Sequence, residues 1–254
     1  MLGCAVLGAR TLSRHFVFPV HRVAQVAPPA SATPWTFMAR DGVVVHALEL
    51  PGPKGAPVVV HFHNNRETAA HAALLSEPLQ RRGLGVLLVE YRGYGPHTNE
   101  APTEEGVYAD AEAALDALGA RGVFPDRIVL WGTSLGTGVA TEMARRGRGS
   151  ALVLVSPYTS IPDLATDVVP IFPSRLLIRE RFDNLAKGPS IHMPTLVIHG
   201  DADEVVPYWM GERLSHTIDG ARLLRVSGGR HGDLFLRDGD RLLSAIASIA
   251  NLPG

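Results

Sequence analysis

Apolar and polar positions follow two rhythms along this chain. From about residue 57 onward, short apolar runs recur at residues 57–62, 85–89, 127–131, 151–155, 195–199 and 222–226. Brief runs of this kind, rich in β-branched side chains, predict strands buried on both faces. Between them lie longer stretches with helical spacing, at residues 67–82, 104–118 and 135–146, and another from about 234 to 249. Gly83 stops the first, and Thr103-Glu104-Glu105 gives the second an acidic start. Strands alternating with helices predict a mostly parallel central sheet with helices on both faces.

Before residue 57 the rhythm differs. Residues 35–40 and 43–50 read as antiparallel strands around the tight-turn dipeptide Asp41-Gly42, and Pro51-Gly52-Pro53 closes the hairpin. Residues 22–34 are rich in Ala, Pro, Val and Ser and carry no helical period. The expected organisation is an extended lead-in over residues 1–34 and one α/β domain over residues 35–254. Within that domain, residues 160–193 form an insert with Pro162, Pro170, Pro173 and Pro189 and an apolar run at 168–172. It reads equally as a small lid over an acyl pocket or as helices packed beside the sheet. It is too short for a large cap domain.

Composition narrows the function classes. The 254 residues include 24 basic and 25 acidic side chains, a net charge of -1, which argues against nucleic acid or an anionic membrane as the main partner. With 46% hydrophobic and 19% charged residues the chain is globular rather than disordered. The single cysteine, Cys4, excludes an internal disulfide and every multi-cysteine zinc site. No apolar run approaches the roughly 18 residues of a membrane span. Met1-Leu2-Gly3-Cys4 reads like the end of a bacterial lipoprotein signal, without the charged and apolar regions that precede such a box. The expected location is the cytoplasm. A membrane-anchored or lipoprotein form is the alternative, if the true start lies upstream of Met1.

The candidate chemistry sits just after the strands, where open parallel sheets bind ligands. The strand at 127–131 is followed by Gly132-Thr133-Ser134-Leu135-Gly136 and then a helix. Gly-x-Ser-x-Gly between strand and helix holds a serine in a sharp, strained turn with its hydroxyl projecting above the sheet. Small residues two before and two after are needed for the crossing, and Gly132 and Gly136 supply them. A serine nucleophile needs a base, and the base an orienting carboxylate; on this topology they follow in the order Ser, acid, His. After the strand at 195–199 come Asp201, Asp203 and Glu204. Glu204 reads as the exit from the loop, and spacing does not choose between Asp201 and Asp203. After the last strand comes Ser227-Gly228-Gly229-Arg230-His231-Gly232. Of the 11 histidines, His231 alone has the required order and position. A tetrahedral intermediate also needs backbone N–H donors. One is expected at Leu135, the other within His63-Asn64-Asn65-Arg66-Glu67.

With these residues in place, the chain resembles an α/β-hydrolase-fold serine hydrolase. It is similar to the compact bud-emergence-type branch, related to membrane-associated depalmitoylating hydrolases. The matching stretches are His63-Asn64-Asn65, Tyr91-Arg92-Gly93-Tyr94-Gly95, Gly106-Val107-Tyr108-Ala109-Asp110, the elbow at 132–136, Ser156-Pro157-Tyr158-Thr159-Ser160, Arg181-Phe182-Asp183-Asn184, residues 199–207 and Gly229-Arg230-His231. The resemblance implies Asp203 as the catalytic acid and the Asn65 amide as the second oxyanion donor. Asn64 and Tyr158 become candidate substrate contacts. The family usually has glycine where this chain has Asn64. Glycine there suggests a positive φ, which asparagine tolerates best among other residues.

The resulting expectation is a serine esterase or thioesterase for small to medium acyl groups, acting through an acyl-enzyme on Ser134. It needs no cofactor and no metal: His61 and His63 alternate on one strand face, with no third ligand evident. The partner is a small-molecule ester or thioester. The alternatives are a non-catalytic binding protein on the same fold, suggested by Asn64, and a peptidase or amidase of the same superfamily.

Overall fold

The computed structural model describes residues 14–20, 23–95, 100–171 and 173–250. Cys4, His21 and Phe172 lie outside the described residues. An eight-stranded sheet runs through the domain in the order β1-β2-β4-β3-β5-β6-β7-β8. Its strands are β1 (Thr33–Met38), β2 (Val44–Leu50), β3 (Val58–Phe62), β4 (Gly85–Glu90), β5 (Ile128–Thr133), β6 (Ala151–Val155), β7 (Thr195–Gly200) and β8 (Arg222–Val226). Pairing from β4 to β8 is parallel, while β2 pairs antiparallel with both β1 and β4. The hairpin predicted around Asp41-Gly42 is present, with Trp35 opposite Ala47.

The longer helices fall where the apolar spacing placed them: α1 (Ala69–Arg81), α2 (Glu104–Ala120), α3 (Leu135–Arg145) and, at the far end, α8 (Leu234–Ala250). Thr103 starts α2 by accepting the Gly106 amide at 3.0 Å, with Glu104 and Glu105 in the positive first turn. The insert forms α4 (Ile161–Val168), α5 (Ser174–Leu177) and α6 (Asn184–Lys187), and α7 (Tyr208–Thr217) follows β7. Among the described residues no helix is long and apolar enough to cross a membrane.

The strands separate two apolar layers. One packs Val60, Leu87, Leu130 and Leu154 against α2 and α3; the other packs Val59, Leu88, Val129 and Val153 against α1 and α8. Each such buried aliphatic side chain contributes about 1.5–3 kcal/mol. The lead-in is not extended throughout. Residues 14–17 make a helical turn, and Val17 and Phe18 are buried. Phe18 packs edge-on against Phe182 of the insert, ring centres 6.1 Å apart. That partner lies far along the chain, so no local pattern reveals it.

The two family-like stretches at 91–95 and 106–110 meet through one side chain. Arg92 grips Asp110 through Nε at 3.0 Å and Nη2 at 2.7 Å, and reaches Asp41 of the hairpin turn at 2.6 Å. This buried fork ties the antiparallel hairpin to α2 and leaves the ends of β3 and β5 free to build the site.

Candidate active site

The elbow after β5 has the geometry that its sequence requires. Ser134 sits at φ 51° and ψ -115°, a left-handed conformation costing about 1–3 kcal/mol for a non-glycine residue. Its own amide holds it by donating to the Val155 carbonyl at 2.9 Å. Its carbonyl accepts the Thr137 hydroxyl at 2.6 Å and the Thr137 amide at 2.9 Å. The flanking glycines are steric necessities. A β-carbon on Gly136 would land on the Phe62 carbonyl, and one on Gly132 on the Gly136 carbonyl. The elbow and the end of β3 are therefore in direct backbone contact.

Three loops bring the polar groups together. His231 Nε2 lies 3.0 Å from Ser134 Oγ, and His231 Nδ1 lies 2.8 Å from Asp203 Oδ2. A carboxylate only accepts, so Nδ1 donates, and Nε2 is left to accept the serine hydroxyl. The Asp203 side chain is fully buried and that of His231 is 18% exposed. Burial alone would raise the Asp203 carboxyl. Hydrogen bonds from His199 and His231, the His231 charge and the Val206 amide outweigh it and hold the group well below the usual carboxylate range. Asp203 Oδ1 also accepts the amides of Val205 and Val206, at 2.9 and 2.8 Å.

The two aspartates that spacing could not separate have different partners. Asp201 turns to the sheet edge, pairing with Arg225 at 2.6 Å and accepting the Gly228 amide at 2.6 Å. It braces the loop that carries His231 without touching the imidazole. Glu204 accepts the His231 amide at 3.4 Å, so it stays with the site rather than leading away from it.

His199 was not singled out from sequence. It lies one residue before the end of β7, fully buried, its Nε2 3.3 Å from Asp203 Oδ2 and 3.0 Å from the Val206 carbonyl. Both neighbours are acceptors, so the ring donates and buttresses the acid from behind. The signal available was one polar residue at the end of an otherwise apolar strand, which must find a partner when buried. His61 also packs inward. It stacks on Trp131 with ring centres 3.9 Å apart, and burial, followed by the nearby His63, pushes it down to about 3.

Two expectations are corrected. Asn64 does not take a positive φ; Ser134, Ser156 and Phe182 are the non-glycine residues that do among the described residues. Its side-chain oxygen instead accepts the Arg66 amide at 2.7 Å, closing a turn in ordinary backbone geometry. Tyr158 does not face a substrate space. It is 1% exposed beneath the elbow, its hydroxyl donating to the Leu135 carbonyl at 3.2 Å. Sequence adjacency to β6 placed it near the site but could not tell which way the ring points.

The insert is pinned at one end. Glu104 accepts the amides of Arg181 and Phe182 at 2.6 and 3.0 Å, and Phe182 is fully buried. At the other end Val168, Val169, Ile171 and Leu176 are exposed. A groove of about 720 Å³ opens between α4, α5 and α7, lined among others by Pro170, Leu176, Leu185, Trp209 and Arg213.

Comparison with known proteins gives a consistent result. The Alpha/beta hydrolase family matches over residues 58–188. Rv2307c of Mycobacterium tuberculosis strain H37Rv, described as an uncharacterized protein, is 36% identical over 211 residues, covering 82% of this chain and 75% of that protein. YfhR of Escherichia coli K12 is 30% identical over 250 residues, covering 93% of this chain and 86% of that one. The Pyrococcus furiosus esterase Pf2001 superposes with a TM-score of 0.72 at 18% identity, covering 89% of this chain and 95% of that one. At that identity the likeness is one of fold.

Proposed function

The chain belongs to the Alpha/beta hydrolase family, and from that premise we propose that it is a serine hydrolase cleaving carboxylic ester or thioester bonds of small to medium acyl substrates. The observation that carries this reading is the unbroken hydrogen-bonded line Ser134–His231–Asp203. The esterase fold relative is in keeping with it.

In the proposed cycle His231 Nε2 takes the proton as Ser134 Oγ attacks the carbonyl carbon. Asp203, ionised and buried, orients the ring and stabilises the imidazolium. The amides of Leu135 and Asn65 receive the oxyanion, each worth about 3–4 kcal/mol in the transition state. His231 then protonates the leaving alcohol or thiol. Water, activated by the same imidazole, releases the acyl group from Ser134. The motif stretches also support placing the chain in the bud-emergence-type branch, where thioesters join esters as candidate substrates.

The test is a p-nitrophenyl ester series of rising chain length, run beside labelling with a fluorophosphonate probe. Turnover with labelling at Ser134, both abolished in Ser134→Ala, is the expected result. Full activity in Ser134→Ala would overturn the assignment.

A further inference from the structure

The loop that carries Asn65 is held by side chains that the cycle above leaves unused. His63 is fully buried, and its Nδ1 lies 2.7 Å from the Asn64 carbonyl oxygen. A carbonyl only accepts, so Nδ1 bears the proton and donates. The other ring nitrogen, Nε2, lies 3.2 Å from Glu90 Oε1, within ion-pair distance though not aligned as a hydrogen bond. Glu90 is itself buried, and its second oxygen accepts the Ala69 amide at the start of α1 at 3.0 Å. Both ring nitrogens thus face oxygen, and the ring is clamped between the loop and a fixed carboxylate.

Two tyrosines complete the clamp. The Tyr91 hydroxyl donates to the His63 carbonyl at 2.9 Å, and the Tyr94 hydroxyl to the Asn65 carbonyl at 3.2 Å. Burial raises both phenols well above their ordinary value, helped at Tyr94 by the Glu90 charge, so both stay protonated donors. Three successive carbonyls, of residues 63, 64 and 65, are therefore each held by a side chain from below.

The middle one matters most. The Asn64 carbonyl and the Asn65 N–H belong to one planar trans peptide and point in opposite directions. Fixing the carbonyl toward His63 fixes the direction of the N–H. We propose that His63, set against Glu90, is the positioning residue that aims the Asn65 amide at the oxyanion. The inference rests on the serine-hydrolase reading above. It also accounts for Asn64 standing where glycine is usual. The peptide orientation is set by the imidazole beneath it rather than by a positive φ, so a side chain at position 64 is no obstacle.

The experiment compares His63→Asn with His63→Gln in the full chain, on p-nitrophenyl butyrate. The asparagine amide nitrogen can take the place of Nδ1, and the glutamine amide nitrogen that of Nε2. The expected result is a fall in kcat of about 100-fold for His63→Gln with KM changed less than about threefold, the size of a lost oxyanion donor. His63→Asn should recover kcat to within about tenfold of wild type. Equal losses in both variants, or a raised KM with kcat intact, would reduce His63 to a packing role and overturn the proposal. If His63→Gln does not fold, Glu90→Gln takes its place. It keeps an acceptor for the Ala69 amide, and its expected kcat is about three- to tenfold down at unchanged KM; a wild-type kcat there overturns the proposal equally. Ser134→Ala run alongside separates the two levels. Its retained activity would defeat the serine-hydrolase reading itself, whereas an inactive Ser134→Ala beside a fully active His63→Gln defeats only the role of His63.

Discussion

Two regions share the carboxyl side of the sheet and are built on opposite terms. At the ends of β5, β7 and β8, Ser134, His231 and Asp203 form one hydrogen-bonded line. Asp203 alone takes bonds from His231 and two amides, with His199 at ion-pair distance. The insert after β6 is fastened at residues 181–184 and then leaves Ile171 94% and Leu176 77% exposed. The first region holds atoms at fixed separations, which the proposed acyl transfer requires. The second keeps apolar surface in water, which stability alone would not favour. On the proposed function, changes in the first should alter rate or folding, and changes in the second test whether the insert sets preference.

The largest effects should break the first region. Ser134→Ala and His231→Gln are each expected to lower kcat on p-nitrophenyl esters by about 10⁴-fold or more, and Asp203→Asn by about 10³–10⁴-fold. Asp201→Asn, two positions away, should cost less than about tenfold, because its partner is Arg225 rather than the imidazole. Similar losses in the two aspartate variants would contradict the division of labour seen in the acid loop.

Next in size is the packing beneath the elbow. Gly136→Ala pushes a methyl group into the Phe62 carbonyl and should destabilise the protein by about 3 kcal/mol or prevent folding. Urea denaturation measures it, and a neutral result would mean that the elbow can shift away from β3.

Glu142 on α3 joins the two regions, pairing with Arg145 and Arg146 beside it and with Lys187 of the insert at 3.1 Å. Burial alone would raise its carboxyl, but these cations hold it down to about 2. A depressed value means that the bonds stabilise the fold above the ordinary carboxylate value and fade as pH falls through the folded one. Glu142→Gln should cost about 2 kcal/mol at pH 7, and the gap from wild type should close between about pH 4.5 and pH 2. Denaturation curves at pH 7 and pH 3 check the sign: a gap that widens on acidification would contradict it.

The smallest effect should lie in the insert. Ile171→Ser with Leu176→Ser should leave stability within about 0.5 kcal/mol, since both side chains are already in water. The ratio of kcat/KM for long over short esters should fall about two- to threefold, well within what one or two lost apolar contacts produce. An unchanged ratio would remove the insert from substrate choice.

The same division governs what the sequence could reveal. β3 to β7 were legible because strands buried on both faces must be apolar throughout. Ser134 and His231 were legible because chain order and loop position admit few residues. Asp201 and Asp203 were not separable, because both sit in one short loop and their directions depend on Arg225 and His231, partners more than twenty residues away. The backbone at Asn64 is not legible, because the Arg66 amide that closes its turn in ordinary geometry leaves no mark in the sequence. The burial of Tyr158 is not legible either, because strand adjacency carries no side-chain direction. The helical turn at 14–17 escaped notice because Phe18 gains its partner only when Phe182 is folded beneath it.

The spacing of Ser134 and His231 along the chain also has a consequence in time. Ser134 and His231 are 97 residues apart. At a synthesis rate of about 5–20 residues per second, the serine is incorporated roughly 5–20 s before the histidine. Within that interval the elbow strand can pair with β3, yet the Ser134 hydroxyl has no His231 beside it. On the proposed function, the serine gains its base only when β8 and the loop beyond it dock, so activity would come in one late step.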